Sequence, residues 1–424
     1  MLYRLTRPIA IIALKIFFRK IYFTNADKIP QDKPIILASN HPTAFIEPCI
    51  LACYQKRSLH FLVRGDLFRK TFARKILTSF KMLPVFRIQD GGYTKLRNNF
   101  ETFNYCQEAL KDHKMIMILA EGNTIQEKRL RPLRKGTGRL AFGAKSTYPD
   151  LDIKIVPVGI NYTHADKFRK DVMVDFGAPM SVESYFEAYQ ESSNQGHKAL
   201  IKDLRAEMES HMVVIREVAD EPLVEQLFIV SRNDHPQSVW PILENNYLPL
   251  EKEREIANRI NDMKPALKDV ANRKTNQYFE SLRSHQLEDI GIAQPENYSF
   301  DNSVIIAIGF LPFLFGYLGN YLPMYLAGWV AKTKVKQLEF KAAVGLTVAV
   351  VLYFLYYLGL IIFAIFMKSL FVWGLILMLP IWGYFSLLYK EHFHKWNTAR
   401  NVSRTDHAII TDLKMQREAV QKFL

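Results

Sequence analysis

Residues 34–48 read PIILASNHPTAFIEP and place a histidine directly after a short apolar run. The run, residues 34–39, has the length and residue types of a buried strand. His41 follows the run, Pro42 comes next, and a carboxylate, Glu47, stands six residues after the histidine. A histidine at a strand end occupies the edge where α/β sheets place their functional groups. Two interpretations follow: His41 is a catalytic base oriented by Glu47, or it caps the next helix.

Further apolar runs of strand length alternate with helical patterns through residues 30–180, which predicts an α/β domain whose sheet is covered by helices. Residues 181–300 hold few strand-like runs and many Glu and Lys at helical spacing, so we expect a helical insertion there. The runs after the first are residues 58–63, 82–86, 115–120, 152–160 and 171–177.

The charge of the 424-residue chain, +14 overall, is concentrated in its first part. Residues 1–180 contain 31 Lys and Arg against 15 Asp and Glu, whereas residues 181–300 contain 13 against 21. The sequence has neither a zinc-ligand spacing nor an RNA-binding block, so we expect no nucleic-acid partner. An anionic lipid surface or a phosphorylated substrate accounts better for the basic excess.

The three cysteines, Cys49, Cys53 and Cys106, are too few and too unpatterned for a disulfide framework. We interpret them as reduced, buried thiols. The pair His392 and His394 has no cysteine or carboxylate cluster beside it, so we expect no metal site.

Three stretches without charged residues lie near the C-terminus: 302–331, 342–367 and 369–389, with lengths of 30, 26 and 21 residues. Each exceeds the ~20 residues that cross a bilayer as a helix. The second and third are separated only by Lys368, which predicts a transmembrane hairpin.

The first stretch predicts a different structure, because Gly319-Asn320 between apolar runs is a turn signal. Basic residues flank the hairpin at 332–341 and at 390–404. The positive-inside rule therefore puts both flanks in the cytoplasm. We expect 302–331 to be re-entrant or interfacial within a membrane segment 301–389, and 390–424 to be a cytoplasmic basic tail.

Residues 1–29 begin with MLYRLTRPIAIIALKIFFRK, which mixes apolar and basic residues. The longest uncharged run, residues 8–14, is short for a signal peptide. The pattern predicts an amphipathic helix on the membrane surface. The catalytic domain is then expected on the cytoplasmic face of a membrane, attached at both ends.

Polar residues and glycines also follow the other predicted strands. Since the carboxyl ends of neighbouring parallel strands meet at one sheet edge, these residues predict a convergent site for an anionic substrate. They are Arg87, Glu121, Gly122, Asn123, Thr124, Arg134 and Lys135.

Taken together, these blocks resemble the glycerolipid acyltransferase superfamily, which includes glycerol-3-phosphate and 1-acylglycerol-3-phosphate acyltransferases. The resemblance covers residues 30–180. Asn40-His41 match the start of the family's first block, N-H-x-x-x-x-D, and Arg87 matches the strand-end arginine of the second. Glu121-Gly122 match part of the third block, F-P-E-G-T, and residues 156–158 match the fourth, an apolar-Pro-apolar strand.

This sequence departs from the family pattern at several positions. The acid is Glu47 rather than Asp, with five residues between it and His41 where four are common. Leu119-Ala120 replace Phe-Pro, and Asn123 stands where Thr is usual.

The resemblance implies a role for each residue. His41 would take the proton of an alcohol as it attacks a thioester, and Glu47 would orient the imidazole. Arg87 and Lys135, with Arg134, would hold the acceptor's phosphate. Glu121, with the loop Gly122, Asn123 and Thr124, would order the site or bind acceptor hydroxyls.

The function implied is O-acyl transfer from acyl-CoA or acyl-carrier protein to glycerol-3-phosphate or 1-acylglycerol-3-phosphate, with membrane lipids as partners. No cofactor is expected beyond the acyl donor as co-substrate. Two alternatives stay open at this point: acylation of a lyso-aminolipid such as an ornithine or glycine lipid, and a catalytically inactive membrane scaffold.

Overall fold

The computed structural model describes residues 2–85 and 98–424, and the chain divides into two compact units. The first unit comprises Met1–Val214, Val239–Leu250 and Gln337–Ala343. The second comprises Ile215–Ser238, Glu251–Lys336 and Val344–Leu424.

The predicted boundary at residue 180 is therefore corrected. Residues 181–214 belong to the sheet domain because the helix Ser193–Ser210 buries Leu200, Leu204 and Met208 in the core that covers the sheet.

The strands lie in the first unit and form one mixed sheet, with the order β4-β3-β5-β2-β6-β7-β1-β9 and with β8 beside β6. The bounds are β1 Lys20–Thr24, β2 Ile35–Ser39, β3 Leu59–Arg64, β4 Met82–Val85, β5 Met115–Leu119, β6 Lys154–Tyr162, β7 Asp171–Phe176, β8 Met180–Ser181 and β9 Leu243–Glu244.

The centre of the sheet is parallel. Strand β2 pairs with β5 on one side and β6 on the other, and Ser39 lies opposite both Leu119 and Val158. All five residues of β2 are buried, as expected for a central parallel strand. The carboxyl ends of β2 and β5 therefore open at the same edge, and the longer β6 extends past them to Tyr162.

The α/β prediction is confirmed, since each of the six predicted runs forms a strand. The N-terminal prediction needs correction, because the helix ends at Phe17 and residues 20–24 form β1. Lys20 is buried and pairs with Glu244 of β9 at 2.6 Å, so it does not face a membrane surface.

The helices of the described chain are α1 Leu2–Phe17, α2 Ile46–Tyr54, α3 Thr71–Ser79, α4 Asn98–Lys111, α5 Gly136–Thr147, α6 Glu183–Glu191, α7 Ser193–Ser210, α8 Glu221–Asp234, α9 Leu248–Asn261, α10 Pro265–Ser284, α11 Asp289–Ala293, α12 Phe300–Thr333, α13 Leu338–Met367, α14 Leu370–Ser403 and α15 His407–Gln421. Three of them, α12, α13 and α14, are long and apolar enough to cross a membrane.

Helix α12 is continuous through Gly319-Asn320, so the turn predicted there is wrong. The side chain of Asn320 is buried and donates to the carbonyl oxygens of Gly316 and Leu379. A polar side chain that would mark a turn in water thus finds its hydrogen-bond acceptors among the packed helices. Close packing explains a neighbouring glycine as well, because a Cβ at Gly316 would lie 2.0 Å from the Trp382 carbonyl oxygen.

Residues 390–424 are packed helix rather than a tail. Arg417 on α15 is buried, and its guanidinium binds Asp289 at 2.8 Å and Asp234 at 2.6 Å. The Tyr278 hydroxyl also donates to Asp289, at 2.6 Å. This buried network fixes α15 against the helices that precede α12.

Candidate active site

The central strand β2 carries its last residues to the edge of the sheet, where Asn40 holds the chain in place. Its amide donates to the carbonyl oxygen of Ile160 at 2.9 Å and accepts from the Ile160 N–H at 2.8 Å. This side chain pairs with β6 as a backbone group would, so the next residue, His41, begins its loop from a fixed point.

His41 does not cap a helix, because α2 begins at Ile46 and its N-cap residue is Phe45. The imidazole is buried, and its Nδ1 lies 3.5 Å from Oε2 of Glu47. Neither atom has a hydrogen-bond partner. This separation is slightly beyond a normal hydrogen bond. The structure therefore brings the two predicted residues together.

The other carboxylate oxygen of Glu47, Oε1, is held by the protein. Oε1 accepts from the backbone N–H and the hydroxyl of Thr43, both at 2.7 Å, and from the Tyr162 hydroxyl at 3.2 Å. The acid therefore sits in the first turn of α2 with one oxygen fixed by three donors and the other facing His41.

Tyr162 is suited to this supporting position. Its burial, followed by the nearby charge of Glu47, raises the pKa of the Tyr162 hydroxyl well above the usual value of 10. The hydroxyl therefore keeps its proton and remains a donor throughout the physiological pH range.

Glu121 connects the loop after β5 to the His41 loop. Its Oε1 accepts from the backbone N–H of His41 at 2.8 Å. Its Oε2 accepts from the backbone N–H and the Nε of Arg131, at 3.2 and 2.9 Å. Both oxygens of this buried carboxylate are occupied by protein donors, which favours an ordering role for Glu121 over binding of the acceptor's hydroxyls.

Gly122 turns the chain after Glu121 with a φ of 73°, a left-handed conformation that favours glycine. A Cβ at Gly122 would lie 3.0 Å from Cγ of Arg134, so the stem of that arginine packs across the turn. The Arg134 guanidinium is exposed, and among the described residues it has no ion pair or hydrogen bond. It is therefore available to an anion.

The other predicted binding residues have less direct positions. Lys135 is exposed and donates to Asn194 at 2.9 Å. Asn123 and Thr124 are half-buried, and the carbonyl oxygen of Asn123 accepts from the Arg131 guanidinium. Arg87 lies outside the described residues.

Comparison with known proteins agrees with this geometry. Residues 20–161 match the Acyltransferase family. Glycerol-3-phosphate O-acyltransferase 2 of Saccharomyces cerevisiae is 26% identical over 186 residues, which are 43% of this chain and 21% of the relative. Glycerol-3-phosphate O-acyltransferase 1 of the same yeast is 39% identical over 75 residues, 18% and 10% of the two chains. The matched part of the chain, residues 20–161, is thus similar to acyltransferases that act in glycerolipid synthesis.

The similarity to these yeast acyltransferases is partial, because the chain spans about a fifth of the first and a tenth of the second. An uncharacterised acyltransferase of Schizosaccharomyces pombe is 21% identical over 263 residues, which are 42% of this chain and 39% of that protein. A solved 1-acyl-sn-glycerophosphate acyltransferase, PlsC from Thermotoga maritima, matches with a TM-score of 0.36 and 12% identity, over 49% of this chain and 78% of that one.

Three residues of this acyltransferase domain were not found from the sequence: Thr43, Arg131 and Tyr162. Each lies in a block that the sequence already marked, Thr43 in the loop after His41, Tyr162 at the end of β6 and Arg131 before α5. What identifies them is their hydrogen bonds to Glu47 and Glu121, and the bond from Tyr162 to Glu47 joins residues 115 apart in sequence.

The His41 loop has one further anchor within the first unit. The backbone N–H of Ala44 donates to the carbonyl oxygen of Glu339 at 3.1 Å. Glu339 lies in the first turn of α13, where Ala342 and Ala343 are buried. The first turn of an apolar helix is thus packed against the acyltransferase loop.

Proposed function

We propose that the chain is a membrane-bound O-acyltransferase that moves a fatty acyl group from acyl-CoA or acyl-carrier protein to glycerol-3-phosphate or 1-acylglycerol-3-phosphate. The observation that carries this proposal is the pairing of His41 with the buried Glu47 at the sheet edge of an acyltransferase domain. The same site contains exposed basic side chains that fit a phosphorylated acceptor.

In the proposed reaction, His41 is the general base. Because Glu47 lies on the Nδ1 side of the ring, Nε2 is the nitrogen that meets the acceptor hydroxyl. Nε2 takes the hydroxyl proton while the oxygen attacks the thioester carbonyl. The C–S bond then breaks, the ester forms, and the proton passes to the leaving thiolate. Glu47 stabilises the imidazolium that exists between the two transfers.

The acceptor's phosphate is assigned to basic residues beside this pair. Arg134 is supported by the turn at Gly122 and has an unoccupied, exposed guanidinium. Lys135 is the next residue and precedes the first turn of α5, whose N-terminal N–H groups also favour an anion. Arg131 is excluded from this role because it is already paired with Glu121. Arg87 keeps its proposed part in phosphate binding.

Attachment to the membrane is assigned to α1 and to the three apolar helices. Leu5, Ile9, Ile12 and Ile16 of α1 are exposed at spacings of three and four residues, which places them on one face of that helix. An apolar stripe of this kind fits a helix lying in the membrane interface.

The proposed topology keeps the catalytic domain and the C-terminus in the cytoplasm. Among the described residues before Phe300, no helix is long and apolar enough to cross a membrane. Glu339 follows α12, and its carbonyl oxygen accepts from the His41 loop. Arg417 follows α14 and pairs with Asp289, which precedes α12. These contacts support an even number of crossings, with α13 and α14 as the proposed crossing pair.

Cysteine labelling tests this topology. A cysteine at Lys368 should react with a membrane-impermeant reagent in intact cells, and a cysteine at Lys336 should not. Labelling at Lys336 would overturn the topology.

The function is tested with the purified full chain in lipid nanodiscs. Each radiolabelled donor, acyl-CoA or acyl-carrier protein, is offered with glycerol-3-phosphate, 1-acylglycerol-3-phosphate or a lyso-ornithine lipid. We expect product with a phosphorylated acceptor, and loss of that product in a Glu47→Gln protein. Transfer to the lyso-aminolipid alone would replace the proposed acceptor, and no transfer to any acceptor would favour the scaffold.

A further inference from the structure

A basic, exposed segment lies next to the active-site edge and has no part in the proposed reaction. It follows strand β3 and consists of a 3-10 turn, Gly65–Phe68, and helix α3. Strand β3 runs parallel to β5, which runs parallel to β2. Its carboxyl end therefore opens at the same edge as His41 and Glu121.

The helix of this segment is unusually exposed for its length. Helix α3 has nine residues, and none of them is buried. Helices this short gain most of their stability from burying one face. Instead, Phe72 is 77% exposed, and Leu67 in the preceding turn is 52% exposed. Two large apolar side chains are thus presented outward from the sheet edge.

The charged residues that follow Asp66 in this segment are all basic. Arg69, Lys70, Arg74 and Lys75 are exposed, and residues 67–81 contain no acidic residue. The nearest acid, Asp66, is paired with Arg64 at 2.9 Å. Exposed apolar residues flanked by Lys and Arg are the pattern of a segment that lies in the interface of an anionic bilayer.

We propose that residues 65–79 form a docking surface for anionic phospholipid. Phe72 and Leu67 enter the boundary between headgroups and acyl chains, and the four basic side chains bind headgroup phosphates. A lipid surface is the occupant that fits this chain, because three of its helices are long and apolar enough to hold it at a membrane. Docking would set the edge that carries His41 against the lipid, and it does not depend on which reaction the site performs.

The test uses the full chain with an environment-sensitive fluorophore on Phe72→Cys, reconstituted into vesicles of phosphatidylcholine with or without phosphatidylglycerol. Native thiols interfere little, because burial raises the pKa of Cys53 to about 11 and of Cys49 and Cys106 to about 12. The matched control is Glu187→Cys. Glu187 is exposed on α6, and α6 follows β8, the strand that pairs with the amino end of β6.

We expect spin-labelled lipids to quench the label at position 72 at least twofold more than the label at position 187, and only when phosphatidylglycerol is present. Adding Arg74→Gln and Lys75→Gln should weaken docking roughly 25-fold, about fivefold for each charge. Equal quenching at both positions would overturn the proposal. So would quenching independent of anionic lipid, or a label shielded only as protein concentration rises, which would indicate a second copy.

Discussion

The contact between Arg131 and Glu121 gives a sharp test of how the active-site loop is held. Glu121 is buried and binds the His41 N–H with one oxygen and Arg131 with the other. We predict that Arg131→Met, which keeps the length of the side chain and removes its charge, leaves a buried carboxylate without its charged partner.

The expected loss in the free energy of unfolding follows from the burial of Arg131 and Glu121. Breaking a fully buried ion pair by removing one partner costs about 3–5 kcal/mol. The Arg131 side chain is 18% exposed against 4% for Glu121, and two backbone N–H donors to the carboxylate remain. We therefore expect a loss of about 2–3 kcal/mol in the free energy of unfolding.

The effect on activity should exceed what a stability loss alone produces. Since Glu121 binds the backbone of His41, a displaced carboxylate shifts the base, and kcat should fall at least about tenfold at temperatures where the protein stays folded. Arg131→Lys should recover part of both losses because it keeps the charge.

Chemical denaturation and steady-state kinetics of the nanodisc-reconstituted protein measure these two quantities. The matched control is Arg139→Met, which removes an exposed arginine and should change stability by less than about 0.5 kcal/mol. An Arg131→Met protein with wild-type kcat would refute the idea that this ion pair positions the loop.

Three further outcomes are expected. Gly122→Ala should cost about 1–2 kcal/mol of unfolding free energy, because its φ is 73° and its Cβ would press on Arg134, as denaturation will show. Tyr162→Phe should lower kcat about three- to tenfold by removing one donor to Glu47, with KM little changed. Burial lowers the pKa of His60 to about 4 from 6.5, so the folded protein favours the neutral imidazole. The resulting stability is fully present above pH 6.5, and up to about 3 kcal/mol of the free energy of unfolding is lost as the pH falls to 4. His60→Phe should flatten that acid limb of the stability profile.

The sheet was predictable because buried parallel strands are continuous apolar runs, which the sequence displays at six places. Strand β1 was missed because residues 20–24 follow a helical pattern that mixes apolar and basic residues. Nothing local shows that Lys20 is buried, since its partner Glu244 lies more than 200 residues away.

The turn predicted at Gly319-Asn320 failed for a similar reason. Turn signals describe a chain in water, where an asparagine side chain competes with helical hydrogen bonds. In α12 the Asn320 amide instead donates within its own helix and to α14. The neighbouring helix therefore decides the local structure.

The residues of the candidate site also fall into those that a local sequence pattern marks and those that only the fold brings together. His41, Glu47 and Glu121 could be singled out because polar residues at strand ends are a local pattern. Thr43 and Tyr162 could not, because their function is to bind Glu47, and only the fold brings Tyr162 to that carboxylate.

The central claim is that His41 is the base for acyl transfer, and the turnover of a His41→Ala protein tests it most directly. We predict a fall of at least about 100-fold in kcat with a phosphorylated acceptor, with the free energy of unfolding unchanged. His285→Ala, which removes an exposed histidine, is the control and should keep full turnover. Near-normal turnover in a well-folded His41→Ala protein would contradict the claim.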